Sequence, residues 1–183
     1  VYSREFKTTG GSGQVDAPSE TDLLSLSYTD AEEQTHTIYY ENYADAASTM
    51  NALDSTYTDV TLTMLQDIKV TVGSGQDLSH VIDINRSCTF DLAGHTFTVR
   101  ATNSYGVSVF YVWGDLTFAI IDSSTEQTGL IDAMGESTIP VKSGYAKSEG
   151  SETGECDVRF VFKSGALKAR TTTGKSDCVL SMP

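Results

Sequence analysis

Residues able to do chemistry are few in this chain and stand apart from one another. The three histidines, His36, His80 and His95, have no nucleophile and carboxylate at triad-like positions beside them. His95 follows Ala93-Gly94, so its expected place is structural, in a turn. Asp67, Asp83, Asp91 and Asp122 lie on or beside alternating segments and read as outward-pointing. They would hold a cation only if they aligned on one face; the plainer expectation is a solvated face that discourages edge pairing. Cys88, Cys156 and Cys178 lack metal-type pair spacing, and an odd count leaves a free thiol unless chains cross-link. No catalytic residue, metal ligand or cofactor is expected. Aromatic residues offer more. Trp113 precedes Gly114 at a turn, Tyr105 and Tyr111 lie nearby, and Tyr39 and Tyr40 fall in "IYYENY". Exposed rings of this kind stack on sugars or anchor a protein partner; the alternative for each is packing against a neighbouring segment.

The 183 residues carry a formal charge of −13, which disfavours nucleic acid and anionic lipid as partners. The acidic residues read as scattered rather than in blocks, which predicts a solvated surface and not an acidic tail. No apolar run is long enough to span a bilayer, so no membrane insertion is expected. Thr and Ser are abundant and Lys is scarce, a composition common in exported bacterial proteins. The chain opens on Val1 without a basic, apolar leader, so it reads as a mature or excised fragment with neighbouring domains in a longer chain.

Residues 1–20 are rich in Gly, Ser and Pro and read as a flexible arm or linker. Residues 21–59 read as an N-terminal cap with a helix over about 42–55, where Tyr43, Ala46, Ala47, Met50 and Leu53 share a face and Asn42 caps the start. From Val60 onward the pattern is β, as in "VTLTM", where apolar and Thr residues alternate.

Within residues 60–183 a repeat emerges. Aligning Cys88, Leu116 and Leu167 makes Phe90, Phe118 and Ala169 equivalent, then Leu92, Ile120 and Thr171. Upstream segments end at Ile84, Val112 and Phe162, and the turns between contain "NRS", "WGD" and "KSGA". The spacings are 116 − 88 = 28 and 167 − 116 = 51 residues, the second close to two units of about 25. Two short strands cannot bury their own apolar face, whereas stacked units can. A meander of hairpins would share the alternation without the matching positions. Gly94, Gly114 and Gly165 then mark turns, and Cys88 is an inward-facing small hydrophobe. Residues 135–154 are either a degenerate coil around Ile139 and Val141 or a projecting loop. Cys156 and Cys178 lie 178 − 156 = 22 residues apart, close to one coil, and would form a disulfide in an exported protein.

The stretch "VIDINRSCTFDLAGHTFTV" resembles the right-handed parallel β-helix (pectate-lyase-like) repeats of large bacterial surface proteins, where a strand and short turn precede a "TLDLNGHTI"-type segment. "VFYVWGDLTFAIIDSSTEQTGLI" is similar to the companion pattern, and "YADAASTMNAL" to the helix that covers the first coil. The resemblance spans residues 42–131 and, more weakly, 158–183; Ala93 stands where the pattern has Asn. It implies a mainly β fold, a right-handed parallel β-helix (solenoid) with an N-terminal capping helix. It specifies a fold, not an activity. The polygalacturonase signatures and the Asp cluster of pectate lyases are missing. The expected function is therefore a non-enzymatic binding or adhesion module of a secreted or cell-surface bacterial protein. Its strand face or a loop such as residues 147–155 would meet a host protein or glycan. The alternatives are a polysaccharide lyase or glycoside hydrolase, and a structural or phage fibre element. The closing "CVLSMP" is strand-like without a cap, so a longer chain or a partner is expected at that end.

Overall fold

Alternation becomes extended backbone. In Thr58–Met64 the residues Val60, Leu62 and Met64 are buried while Thr61 and Thr63 face outward, the pattern of a strand with one face on a core. The computed structural model describes residues 3–7, 18–73, 80–102, 107–136, 138–144, 158–171 and 180–181. In chain order they form β1 (Ser3–Lys7), β2 (Leu24–Thr29), β3 (Thr35–Tyr40), helix α1 (Tyr43–Ala52), β4 (Thr58–Met64), β5 (Ile68–Val72) and β6 (His80–Ile84). There follow β7 (Cys88–Asp91), β8 (Thr96–Ala101), β9 (Ser108–Trp113), β10 (Leu116–Ile121), β11 (Leu130–Gly135), β12 (Ile139–Gly144), β13 (Val158–Phe162), β14 (Ala166–Thr171) and β15 (Leu180–Ser181). The fold is mainly β with a single helix among the described residues.

The strands form three sheets. The first runs β1-β3-β2-β4-β7-β10-β13, the second β14-β11-β8-β5 and the third β15-β12-β9-β6. From β4 onward the chain visits the sheets in rotation, and every strand pairs in parallel with the strand three positions later. Stretches such as "CTFDLAGHTFTVR" are therefore not hairpins: β7 and β8 lie in different sheets, joined by a turn in which Ala93 and Gly94 take positive φ. Like side chains stack strand over strand, as in Leu62–Phe90–Ile120 and Ile82–Phe110–Val141. Rings from all three sheets meet inside: Phe90 lies 4.8 Å from Phe110 and 6.2 Å from Phe97, centroid to centroid, and Phe97 lies 6.1 Å from Phe110. Such aromatic pairs add to the apolar area they bury.

Before β4 the ladder changes sense. β2 pairs antiparallel with both β3 and β4, and β1 pairs antiparallel with β3. Residues 3–7, expected within a flexible arm, are thus a strand, since the free edge of β3 offers backbone partners that five residues can use without a recognisable pattern of their own. Helix α1 begins where expected, with Asn42 Oδ1 accepting from Ala44 N at 2.8 Å, and ends at Ala52. Its buried face is Ala46, Ala47 and Met50, packed on β6, β2 and β3.

The alignment drawn from the sequence needs correction. Cys88 stacks on Phe118, and Phe118 on Phe160, with steps of 118 − 88 = 30 and 160 − 118 = 42 residues. Leu116 instead meets Val158, and Leu167 belongs to the second sheet, opposite Ile131. Ile84 and Val112 do pair, in the third sheet, but Phe162 pairs with Ile120 in the first. A shift of two residues leaves every side chain on its own face, so alternation cannot fix register. Residues 139–144 are β12, not part of a loop, and the unequal lengths between strands hide the period.

Candidate functional site

The aspartates expected on a solvated face are mostly turned to structural use. Asp91 and Asp122 end β7 and follow β10, and are 7% and 4% exposed. Asp91 Oδ1 accepts from Ala93 N at 3.0 Å and, across to the next set of strands, from Ser123 N at 2.9 Å. Asp122 Oδ1 accepts from Gly94 N at 2.8 Å and Ser124 N at 3.1 Å, while Oδ2 accepts from Gly129 N at 2.5 Å. Asp67 accepts from Thr96 N at 2.9 Å, with His95 Nδ1 3.6 Å away. Three of the four turns between first and second sheet, those after β4, β7 and β10, therefore have a carboxylate bonded to the backbone beside a neighbouring turn. Asp91 and Asp122 are buried because the corners leave N–H groups that no strand can satisfy, while Asp67 meets its N–H group from the exposed side. Among the described residues no three His, Cys, Asp or Glu side chains converge as a metal site.

Other polar groups are similarly engaged. His36, 3% exposed, bonds through Nε2 to Asp30 Oδ2 at 2.6 Å and stacks on Tyr28, whose ring also stacks on Tyr57. Asp30 Oδ1 accepts from Glu32 N and Gln34 N, closing the β2–β3 turn; the His36 bond and then the Gln34 N–H hold its carboxyl below the ordinary range. Arg86 donates to four carbonyls at the C-terminal end of α1. Nothing in the sequence signals this arginine, because its partners are backbone atoms about thirty residues earlier. Cys88 is 7% exposed, and burial pushes its thiol up to about 12 against a smaller opposing pull from Arg86. In the folded protein at neutral pH Cys88 is expected not to react with a disulfide reagent, and to react once urea exposes it; modification before unfolding would contradict its burial. Cys156 and Cys178 lie outside the described residues, and so does their expected disulfide.

Of the aromatic candidates, Tyr111 and Trp113 come together on the outer face of β9, while Phe110 and Val112 between and beside them are buried. Tyr40 is corrected: at 2% exposure it is a core side chain, because the alternation of β3 turns Tyr40 and Ile38 inward and Tyr39 outward. Tyr39 lies on the first sheet, in register with Ser25 and Arg4, and so does not join Tyr111. Tyr105 lies outside the described residues, as does the loop 147–155. Gly94, Gly114 and Gly165 sit in turns at positive φ.

Around Tyr111 the third sheet adds groups that the sequence did not connect. The His80 ring stacks on Tyr111, centroids 5.2 Å apart and 20° from parallel, and His80 Nε2 lies 3.0 Å from Asp83 Oδ2. Asp83 and Lys142 flank Tyr111 in register on β6 and β12, and Lys142 is exposed. Beside them a groove of about 440 Å³ separates α1 from β6, lined by Ala44, Ser48, Asn51, His80, Val81 and Asp83. Aromatic faces, a carboxylate and an ammonium on a flat strand surface can stack on a ring and bond its hydroxyls. No family model, curated protein or solved structure matches this chain.

Proposed function

We propose that the three sheets close into a right-handed parallel β-helix, capped by α1 and the antiparallel strands β1–β3, and that this helix is a non-catalytic binding module. The contact among Phe90, Phe97 and Phe110, one from each sheet, supports closure around a common core. Parallel crossovers within a sheet are right-handed in nearly all proteins. The binding reading rests on one observation: the buried carboxylates of Asp91 and Asp122 are committed to backbone N–H groups, whereas the aromatic and ionic groups of the third sheet face outward. The ligand class that suits Tyr111, Trp113, His80, Asp83 and Lys142 is a glycan, free or on a host protein. The Ser- and Thr-rich, acidic composition and the β-helix resemblance favour a secreted or cell-surface bacterial setting.

A glycan array probed with the parent chain and with a Tyr111→Ala/Trp113→Ala variant tests this. Loss of both rings is expected to weaken binding by about 1–3 kcal/mol, roughly 5- to 150-fold. Equal binding by the two proteins would remove this face as the site. Release of new reducing or unsaturated sugar ends from a bound glycan would replace the binding reading with an enzymatic one.

A further inference from the structure

Asn85, Arg86 and Ser87 join β6 to β7. Their order, Asn-Xaa-Ser with Xaa not proline, is an acceptor sequence for N-linked glycans, used where it lies on the surface of an exported protein. Of the four asparagines in the chain only Asn85 has a hydroxyl residue two positions on; Asn42, Asn51 and Asn103 are followed there by Ala44, Leu53 and Tyr105. Asp83 stands two positions before Asn85 and completes the Asp-Xaa-Asn-Xaa-Ser form that bacterial oligosaccharyltransferases select. Such a triplet arises readily by chance in a chain rich in Ser and Thr, so its place in the fold decides whether it can be used.

That place suits an acceptor. Asn85 and Ser87 are both exposed, while Arg86 between them reaches back to the carbonyls of Met50, Leu53, Asp54 and Tyr57. The anchored arginine leaves its two neighbours on the solvent side. The Asn85 N–H donates to Asn51 Oδ1 at 3.2 Å, so the backbone of the turn is held, yet no partner holds the Asn85 carboxamide. Ser87 Oγ accepts from Thr117 N at 3.0 Å, which fixes the oxygen and leaves its proton free to donate. Asn42 and Asn51, by contrast, spend their side chains on the start of α1 and on the backbone of Asp83 and Asn85. A substituent on Asn85 Nδ2 breaks no hydrogen bond of the fold.

We propose that Asn85 is an N-glycosylation site, modified on export by a membrane oligosaccharyltransferase with a polyprenyl-diphosphate-linked oligosaccharide as donor. Asn85 Nδ2 attacks the anomeric carbon of the donor, and the bond from that carbon to the diphosphate oxygen breaks. The amide proton passes to a base of the transferase, the polyprenyl diphosphate leaves with the bonding pair, and nothing is oxidised or reduced. The transferase reads Ser87 through its hydroxyl proton and Asp83 through its charge. The site rests on the exported setting proposed above and not on Tyr111 or Trp113.

The test is to express the full chain, behind a secretory leader and with a second acceptor sequence in a C-terminal tag, in bacteria that carry such a transferase and its donor. Mass spectrometry is expected to find the mass of the oligosaccharide added to the peptide that contains Asn85. Asn85→Gln, Ser87→Ala and Asp83→Ala should each lose that mass while the tag keeps its own, and Ser87→Thr, which preserves the hydroxyl, should retain it. The modified chain should also unfold at the same urea concentration as the parent, because the carboxamide has no partner to lose. Tag modification reports export and an active transferase, so a modified tag beside an unmodified Asn85 would overturn the proposal, whatever the glycan array shows. Modification that survives Asp83→Ala, or a lowered urea midpoint in the modified chain, would also overturn it.

Discussion

Replacing Asp122 by alanine is expected to lower the free energy of unfolding by about 3–4 kcal/mol, a large share of what a domain of this size has. Three N–H groups, of Gly94, Ser124 and Gly129, lose their acceptor at once, and the Gly129 bond is buried. The site cannot relax by local repacking, because the chain passes too closely: a Cβ on Gly129 would lie 2.5 Å from that of Leu92 and 2.7 Å from Asp122 Oδ2. Asp122 also reaches the last set of strands, its N–H donating to Ser164 Oγ at 2.7 Å. The carboxylate itself ties two successive levels of the stack, its own turn and that of Gly94, and both loosen when it is lost. Urea unfolding at neutral pH gives the measurement, with Asp122→Asn, which keeps one acceptor oxygen, expected to fall between parent and alanine. A loss below about 1 kcal/mol would mean that water replaces the carboxylate without cost.

The same residue shapes the acid response. Burial pushes the Asp122 carboxyl up, but the Ser124 side chain and the N–H groups of Gly129, Ser124 and Gly94 outweigh it and hold it below its ordinary 3.8. Asp30 is lowered too, chiefly by His36. For a lowered carboxyl the unfolded chain takes up the proton first. Its stabilisation is full above about 3.8, falls as pH drops through that value, and is gone once the folded carboxyl is protonated. The alanine variant should show a shallower loss of stability with acid than the parent.

The second large effect is expected at Arg86. Helix α1 ends at Ala52 with no basic residue in its last turn, and only the Leu53 N–H, donating to Met50 O at 3.3 Å, closes that turn from the chain itself. From the β6–β7 turn Arg86 ties the helix end to the segment after it: Nη1 donates to Met50 O and to Leu53 O at the C-cap, at 3.3 and 2.9 Å, and Nη2 to Asp54 O and Tyr57 O beyond it, at 3.4 and 3.1 Å. The cation also opposes the negative end of the helix dipole. Asn51 reinforces the joint, donating to Asp83 O and accepting from Asn85 N. Arg86→Ala is expected to cost about 2–4 kcal/mol, and Arg86→Lys most of that, since an ammonium cannot span four carbonyls. Amide exchange resolves the cause: protection should fall first in α1 and β6. Unchanged protection of the α1 amides would assign Arg86 a lesser role.

How far the sequence carries can be seen residue by residue. The helical face of Tyr43, Ala46, Ala47 and Met50 and the inward set of Val60, Leu62 and Met64 are local patterns, and the structure keeps both. Of the candidate site, Tyr111 and Trp113 were legible as alternating residues next to a glycine turn. His80 and Asp83 joined them only through the parallel pairing of β6 with β9.

What the sequence determined by itself is which aliphatic residues of the regularly alternating stretches face inward, where the helix lies and where the glycine turns fall, because each depends on neighbours a few positions away. Tertiary structure alone decided the register of the strands, the buried role of Asp91 and Asp122, and the capping of α1 by Arg86. Alternation with period two is unchanged by a two-residue slip, so only packed side chains of particular size select one register. An aspartate at a strand end looks solvated until stacking brings unsatisfied N–H groups of the next level to within hydrogen-bond distance of it.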